Sequence, residues 1–209
     1  MTKARRSSLR RAVSVSPYLM LALGASLALT YAHFGAGGWD ALYLHRLARS
    51  TGWCAVIALL LSLSCSPAHR LLRTSRMAPR VRKSALVATL VPLRRALGMT
   101  AALFALAHAS IGLFGPLRGA LLPLVTWTYL RAGLIAFAIL TPLLATSFPR
   151  VNRALRVREF KRLHRLVYAA LLFLLVHLAF GPFTAAWALL TVTAVSALLL
   201  ALRLHKPRT

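Results

Sequence analysis

The apolar residues of this chain are gathered in long blocks that are separated by short, strongly basic segments. A helix rises about 1.5 Å per residue, so a block of about 20 apolar residues is long enough to cross a hydrocarbon core of about 30 Å. Six such blocks are present, and they predict an all-α membrane protein, a bundle of six transmembrane helices. The predicted spans are residues 17–34, 51–68, 97–115, 121–147, 163–181 and 183–202.

Two of these spans have an alternative interpretation. The first follows five basic residues and resembles a secretory signal, but its apolar stretch is longer than a usual signal core and no clear cleavage site follows it. We therefore expect a retained helix. The fourth begins nearer Tyr129 if Pro123 and Trp127 lie at the membrane interface, where tryptophan is enriched.

The composition agrees with a membrane protein. Hydrophobic residues make up 59% of the 209 residues, the mean hydropathy is +0.70, and Asp40 and Glu159 are the only acids. If the N-terminus is cytoplasmic, 23 of the 27 Lys and Arg residues fall on the cytoplasmic side. Because cytoplasmic loops carry an excess of Lys and Arg, we expect both termini in the cytoplasm. The chain then divides into a basic N-terminus (1–16), the transmembrane domain (17–203) and a short tail (204–209).

This topology and the anionic lipid headgroups explain the net charge of +25 without a nucleic acid. The basic residues flank apolar spans and form no soluble module with interleaved aromatic residues, which disfavours DNA or RNA binding. The sequence has no phosphate-binding glycine loop, so we assign any oxidation of NAD(P)H to another protein. One acid on each side of the membrane is too few for the carboxylate pair of a hydrolase.

The two cysteines are interpreted as packing residues. Cys54 and Cys65 lie on one predicted helix, about 16 Å apart along its axis, which is too far for a disulfide. The sequence has no C-x-x-C-H motif, so a covalently attached c-type haem is not indicated.

The seven histidines fall into two groups. Water or lipid headgroups can satisfy those at the ends of spans or in loops, which are His33, His45, His69 and His205. The third and fifth spans run in the same direction, and His108 and His177 lie thirteen and twelve residues beyond Arg95 and Arg165. At about 1.5 Å per residue, these two histidines stand about 20 and 18 Å above the cytoplasmic ends of their spans. We expect them at one level in the bilayer.

Two neutral imidazoles at one level on two helices provide the axial ligands that a b-type haem needs. Small residues around His108 and apolar residues around His177 suit a flat, apolar macrocycle. The alternative is that each histidine makes an interhelical hydrogen bond, a common use of polar residues in membrane bundles. The shared depth favours metal binding for the pair.

His164 lies near the cytoplasmic end of the fifth span, at the level of a second haem. In an ideal helix, the thirteen residues from His164 to His177 turn the chain about 220° beyond three full turns, so the two rings face differently. The third span carries Arg94 and Arg95 at that level, and these cations cannot ligate iron. They more naturally hold a haem propionate, a flavin phosphate or a lipid. The role of His164 as an iron ligand therefore stays open.

Three stretches resemble a known membrane family: RRALGMTAALFALAH (94–108), YLRAGLIAFAILTPLLATS (129–147) and FKRLHRLVYAALLFLLVH (160–177). They are similar to the ferric-reductase-like transmembrane domain, and within it to the haem-binding membrane subunits of bacterial periplasmic methionine sulfoxide reductase systems. The similarity covers roughly residues 45 to 180. The chain has Phe160 where the family usually has tryptophan and Ala48 where it has glycine. The usual Arg-Pro-Tyr before the fourth helix is replaced, with Arg131 lying further inward.

The resemblance implies six helices and a b-type haem whose iron is ligated by histidines of the third and fifth helices. The matching histidines are His108, His164 and His177. It also implies electron delivery from a cytoplasmic flavin reductase or quinol to a periplasmic molybdopterin enzyme, in the bacterial inner membrane. FMN is an additional candidate cofactor. The candidates for contacts with a cofactor are Arg94, Arg95 and Arg131.

Three functions are compatible with this sequence. The first is an electron-transfer subunit, without catalytic residues of its own, that passes electrons through haem from the cytoplasmic side to an outside acceptor. The second is a transmembrane reductase of ferric chelates, and the third is a haem-free scaffold or transporter. A haem absorption band in the purified protein separates the third from the other two.

Overall fold

A computed structural model of the chain describes residues 21–30, 41–74, 85–182 and 184–204. These residues are mostly helical and include no strand, as expected for an all-α protein. The helices are α1 (Leu21–Thr30), α2 (Ala41–Thr74), α3 (Ala85–Phe114), α4 (Leu122–Thr126), α5 (Thr128–Ala145), α6 (Pro149–Ala154), α7 (Val157–Arg165), α8 (Val167–Phe180) and α9 (Ala186–Leu204).

Within the described ranges, five stretches are long and apolar enough to cross a membrane, and they correspond to the second to sixth predicted spans. They are Leu42–Leu72, Thr89–Phe114, Thr128–Ala145, Val157–Phe180 and Ala186–Leu204. The ten-residue helix α1 falls inside the predicted first span, 17–34, whose other residues lie outside the described ranges. So do residues 1–16 and 205–209, with His205, and also His33. The sixth crossing and the cytoplasmic termini therefore stay predictions.

Two helices begin ten or more residues earlier than their predicted spans, and α7 begins six residues before the fifth. α2 begins ten residues before Thr51, and α3 begins twelve residues before Leu97. The added segments carry arginines, such as Arg46 and Arg95, which lower the local hydropathy. Arginine is nevertheless a good helix former, and its long side chain reaches towards the membrane surface. Hydropathy therefore marks the part of a helix that suits the hydrocarbon core, while the helix itself extends further.

Two breaks in the helices are important for the site. α4 and α5 are separated at Trp127, whose backbone is extended with φ −84° and ψ 124°. The fourth span thus starts at Thr128, which confirms the alternative start near Tyr129. α7 and α8 meet at Leu166, whose N–H donates to the Leu163 carbonyl oxygen at 2.9 Å. This tight turn interrupts the fifth predicted span near its cytoplasmic end.

The bundle is built from two helix pairs, α2 with α3 and α5 with α8. Ala101 of α3 and Leu171 of α8 are 1% and 2% exposed and cluster with Leu59 and Leu63 of α2. Small residues such as Ala101 let membrane helices approach closely. α9 packs against α2 and α8, where Val192 joins a second apolar cluster.

The outer surface of the helices is apolar. Leu172, Leu190 and Leu198 are each more than half exposed. Apolar surface of this extent is costly in water and suits the acyl chains of a bilayer. We therefore describe the protein as a multi-pass membrane protein.

The cysteines behave as the spacing predicts. Cys54 and Cys65 both lie in α2, and neither forms a disulfide. Cys65 is buried and its thiol donates to the Leu61 carbonyl oxygen in the same helix.

Candidate functional site

An apolar cavity of about 460 Å³ lies among α2, α3, α5 and α8. Most of its walls are small or aliphatic side chains, including Ala105, Ala136 and Leu174. Its polar lining includes His108 of α3 and His177 of α8. Ligand pockets of about 300–1,000 Å³ with mostly apolar walls and a few polar groups are typical of small-molecule and cofactor sites. This cavity is therefore the candidate site of the protein.

The imidazole rings of His108 and His177 meet at this cavity. Their centroids are 6.0 Å apart, and their planes are inclined by 79°. The structure thus brings together the two histidines whose distances along their helices had indicated a common depth.

Each of these rings is held by a backbone carbonyl of a neighbouring helix. Nδ1 of His108 donates to the Ala48 carbonyl oxygen in α2, and Nδ1 of His177 donates to the Tyr129 carbonyl oxygen in α5. Both distances are 2.7 Å. Because a carbonyl oxygen only accepts, the hydrogen lies on Nδ1 of each ring. A neutral imidazole with that tautomer keeps its lone pair on Nε2, the arrangement that a metal-binding histidine has.

This donor set fits a bis-imidazole metal centre. Bonds between a metal and an imidazole nitrogen are about 2 Å long, so two such bonds and the two rings span about 6 Å between centroids. The observed separation of 6.0 Å agrees with that requirement. Two nitrogens do not complete the coordination of a transition metal, and haem supplies the remaining ligands from its porphyrin. The apolar walls of the cavity suit such a macrocycle.

The structure places His164 away from this pair. Its ring stacks on Phe160 with centroids 4.1 Å apart, and its Nε2 lies 3.3 Å from the Thr146 hydroxyl oxygen. His164 is not among the residues that line the central cavity. The argument from an ideal helix does not apply between His164 and His177, because the helix is interrupted at Leu166. A role for His164 as an iron ligand stays a prediction.

The three predicted cofactor-binding arginines also lie away from the central cavity. Arg94 lines a separate cleft of about 500 Å³ together with His69 and Arg70. The Arg95 guanidinium donates to the Ser147 carbonyl oxygen, two residues beyond the end of α5. Arg131 is exposed on α5. Their roles as cofactor contacts stay predictions.

The cavity also has lining residues that the sequence did not single out. Gly52 and Gly133 lie beside the two histidines. His45 and Arg49, one turn apart on α2, are exposed and line the cavity as well. The early start of α2 brings them there, whereas hydropathy had placed them in a connecting segment. No sequence motif marks either glycine, because its role depends on a histidine ring that packs against it from another helix.

Comparison with known proteins assigns the chain to a family. The model of a family described as "Ferric reductase like transmembrane component" matches residues 51–175. The chain belongs to this family. The matched region contains Gly52, His108, Gly133 and His164 and ends two residues before His177.

A curated relative gives a more specific similarity. The chain is 35% identical over 138 residues to the protein-methionine-sulfoxide reductase heme-binding subunit MsrQ of Deinococcus radiodurans. The alignment covers 65% of this chain and 62% of that relative, so it spans less than two thirds of either protein. The resemblance seen in the sequence, to ferric-reductase-like domains and to MsrQ-type subunits among them, is confirmed.

Proposed function

We propose that this protein binds haem b in its central cavity and transfers electrons across the membrane. The observation that carries this proposal is the pair His108 and His177, in which Nδ1 of each ring is bonded to backbone and Nε2 is left for a metal. The name of the Deinococcus radiodurans relative, a heme-binding subunit, supports the same cofactor. Haem supplies a reversible one-electron change between ferric and ferrous iron when it is bound.

The residues of the chain would hold the cofactor among mostly apolar side chains. His108 and His177 would hold the haem iron through Nε2, and the hydrogen bonds to the Ala48 and Tyr129 carbonyl oxygens fix the tautomer that can ligate iron. We assign Arg49, which lines the cavity, to the acidic groups of haem, because a guanidinium pairs well with a carboxylate. The apolar walls lower the polarity around the iron, which is one of the means by which a protein sets a reduction potential.

The proposed direction is from a cytoplasmic flavin reductase or quinol to a periplasmic molybdopterin enzyme that reduces methionine sulfoxide. The acceptor is suggested by the name of the relative, a subunit of a protein-methionine-sulfoxide reductase. The orientation in the bacterial inner membrane rests on the charge asymmetry, with 23 of 27 basic residues on the proposed cytoplasmic side. A transmembrane reductase of ferric chelates is the second candidate, favoured by the family description.

The test is the optical spectrum of the purified protein. We expect a low-spin b-type spectrum with a Soret band and a sharpened α band after reduction, because two imidazoles give iron a strong ligand field. The reduced protein is then mixed with either methionine sulfoxide and the periplasmic enzyme, or a ferric chelate. Faster reoxidation by the first pair supports the methionine sulfoxide pathway, and faster reoxidation by the chelate supports the second candidate. Protein without haem from haem-replete cells would overturn both.

For the cytoplasmic end of the bundle we propose that His164, Arg94 and Arg95 contact a second haem or FMN. Arg131 lies in the first turn of α5, at the opposite end of that helix, and we propose that it contacts a cofactor there. Arg94 is the strongest of these arginines, because it lines a cleft with His69 and Arg70 that suits an acidic group. His164 and Arg95, the neighbour of Arg94, both contact the residues that follow α5: His164 lies beside the Thr146 hydroxyl, and Arg95 donates to the Ser147 carbonyl oxygen.

Replacing His164 by alanine tests this arrangement. We expect His164→Ala to lower cofactor content or to slow reduction from the cytoplasmic side, while the spectrum of the centre at His108 and His177 is retained. The matched control is Lys161→Ala, which removes an exposed side chain of the same helix α7 that lines neither the central cavity nor the cleft beside Arg94, and it should leave cofactor content and reduction rate as in the wild type. If His164→Ala leaves cofactor content and reduction rate unchanged, its role is limited to the contacts with Phe160 and Thr146.

A further inference from the structure

We infer that Gly52 and Gly133 are positioning residues for the two histidines: the missing side chain at each glycine lets one imidazole reach a backbone carbonyl of the neighbouring helix. The contacts are present in the protein itself. The consequences for a cofactor rest on the proposed haem function.

The two glycines have the same place in their helices. Gly52 lies four residues after Ala48 in α2, and Gly133 lies four residues after Tyr129 in α5. Side chains of a helix tilt towards its N-terminus, so each residue covers the turn that precedes it. A side chain four residues after a carbonyl therefore covers that carbonyl from outside. With glycine there, the oxygen can accept a second hydrogen bond, and a histidine from the next helix donates it.

The space that each glycine leaves is filled by an imidazole. A Cβ atom on Gly52 would lie 3.0 Å from Nδ1 and 3.1 Å from Cε1 of His108. A Cβ atom on Gly133 would lie 2.8 Å from Nδ1 and 3.1 Å from Cε1 of His177. Carbon atoms of neighbouring groups normally stay about 3.5–4.0 Å apart. An alanine at either position would therefore push the ring away from its carbonyl.

Close packing of two helix backbones is the usual reason for glycine in a membrane helix. It does not explain these two positions, since the three atoms nearest to each hypothetical Cβ all belong to the histidine ring. Gly98 of α3 offers a contrast: its nearest neighbour would be the Ser62 hydroxyl oxygen at an ordinary distance of 3.4 Å. A helix is also less stable with glycine than with alanine in its interior, and this applies to α2 at Gly52 and to α5 at Gly133.

The hydrogen bond that each glycine permits acts on the ligand nitrogen. A bond from Nδ1–H to a carbonyl makes Nε2 a stronger electron donor and fixes the plane of the ring. Displacing the ring weakens this bond, so haem affinity falls and the ferric state is less stabilised. Loss of such an outer contact typically costs about 10- to 100-fold in metal affinity. We expect the larger effect at Gly133, where the Cβ would be closer to the ring.

The experiment compares Gly52→Ala, Gly133→Ala and the matched control Gly98→Ala, each in the full chain. For the first two we expect a loss of about 10- to 100-fold in haem affinity, a midpoint potential shifted to more positive values, and altered g-values in the electron paramagnetic resonance spectrum. Gly98→Ala should match the wild type in all three. Wild-type affinity, potential and g-values in both Gly52→Ala and Gly133→Ala would overturn the inference.

A second measurement separates this inference from the proposed function. In haem-free protein labelled with ¹⁵N-histidine, the imidazole resonances report the Nδ1–H tautomer and its hydrogen bond. If the wild type binds no haem but the two glycine variants lose this signature, the proposed function fails and the positioning role stands. If haem is bound and the signature is the same in wild type and variants, the positioning role fails. Should Gly133→Ala not fold, the milder contact at Gly52 makes Gly52→Ala the deciding variant.

Discussion

Replacement of either His108 or His177 by alanine is expected to remove most of the low-spin haem spectrum. The two rings meet with centroids 6.0 Å apart, and each presents the tautomer that can ligate through Nε2. If they hold one six-coordinate haem, a single remaining imidazole gives a weakly held, high-spin centre and not half a site. The absorption spectrum and the haem content of the purified variants measure this effect.

The double variant tests whether the two histidines act as one unit. We expect it to cost little more than either single substitution, because residues that share one function are not additive. His45→Ala is the matched control, since His45 also lines the cavity but is exposed at its edge. If the histidines only make interhelical hydrogen bonds, each substitution costs about 0.6 kcal/mol of stability, the effects add, and the spectrum is unaffected. Retention of a full low-spin haem in either single variant would require another ligand, and His164 is the first to examine.

The meeting of His108 and His177 could be anticipated because depth along a helix depends only on a residue count. The count from Arg165 to His177 tolerates the tight turn at Leu166, since that turn alters the height by less than one helical turn. The direction in which a side chain points around the helix axis is more sensitive to such a turn than its height is. A single interruption can change the direction of every following side chain, so the spacing alone does not fix the angle between His164 and His177.

Other features of the site could not be read from the sequence. The carbonyls of Ala48 and Tyr129 are backbone groups, and no residue type marks which of them a neighbouring helix will reach. Arg95 lies near the expected depth for a cofactor contact, but its guanidinium bonds to the Ser147 carbonyl. Arg49 was assigned to a connecting segment because it lowers the hydropathy, although α2 continues through it and carries it to the cavity. The sequence indicates the depth of a residue in the membrane and its charge. The atoms that its side chain contacts depend on which helix packs against it.

Filling the cavity while keeping both histidines is expected to abolish haem binding. Ala136 of α5 is 6% exposed and lines the cavity three residues after Gly133. Ala136→Phe adds an aromatic ring in the space proposed for the macrocycle, and a packed interior has few other places to put it. We expect the purified variant to have lost most of its haem, with the ¹⁵N signature of both histidines still present in the haem-free state.

Ala138→Phe is the matched control, because Ala138 lies two residues further along α5 and is exposed on the outer surface of the bundle. It should retain the wild-type haem content. If the protein is a haem-free scaffold, the cavity is empty, and filling it recovers packing contacts. The melting temperature of Ala136→Phe should then be higher than that of the wild type. Normal haem content in Ala136→Phe would show that the cofactor lies elsewhere. If the wild type never acquires haem and Ala136→Phe raises the melting temperature, the scaffold is favoured, because the cavity is then only a packing defect.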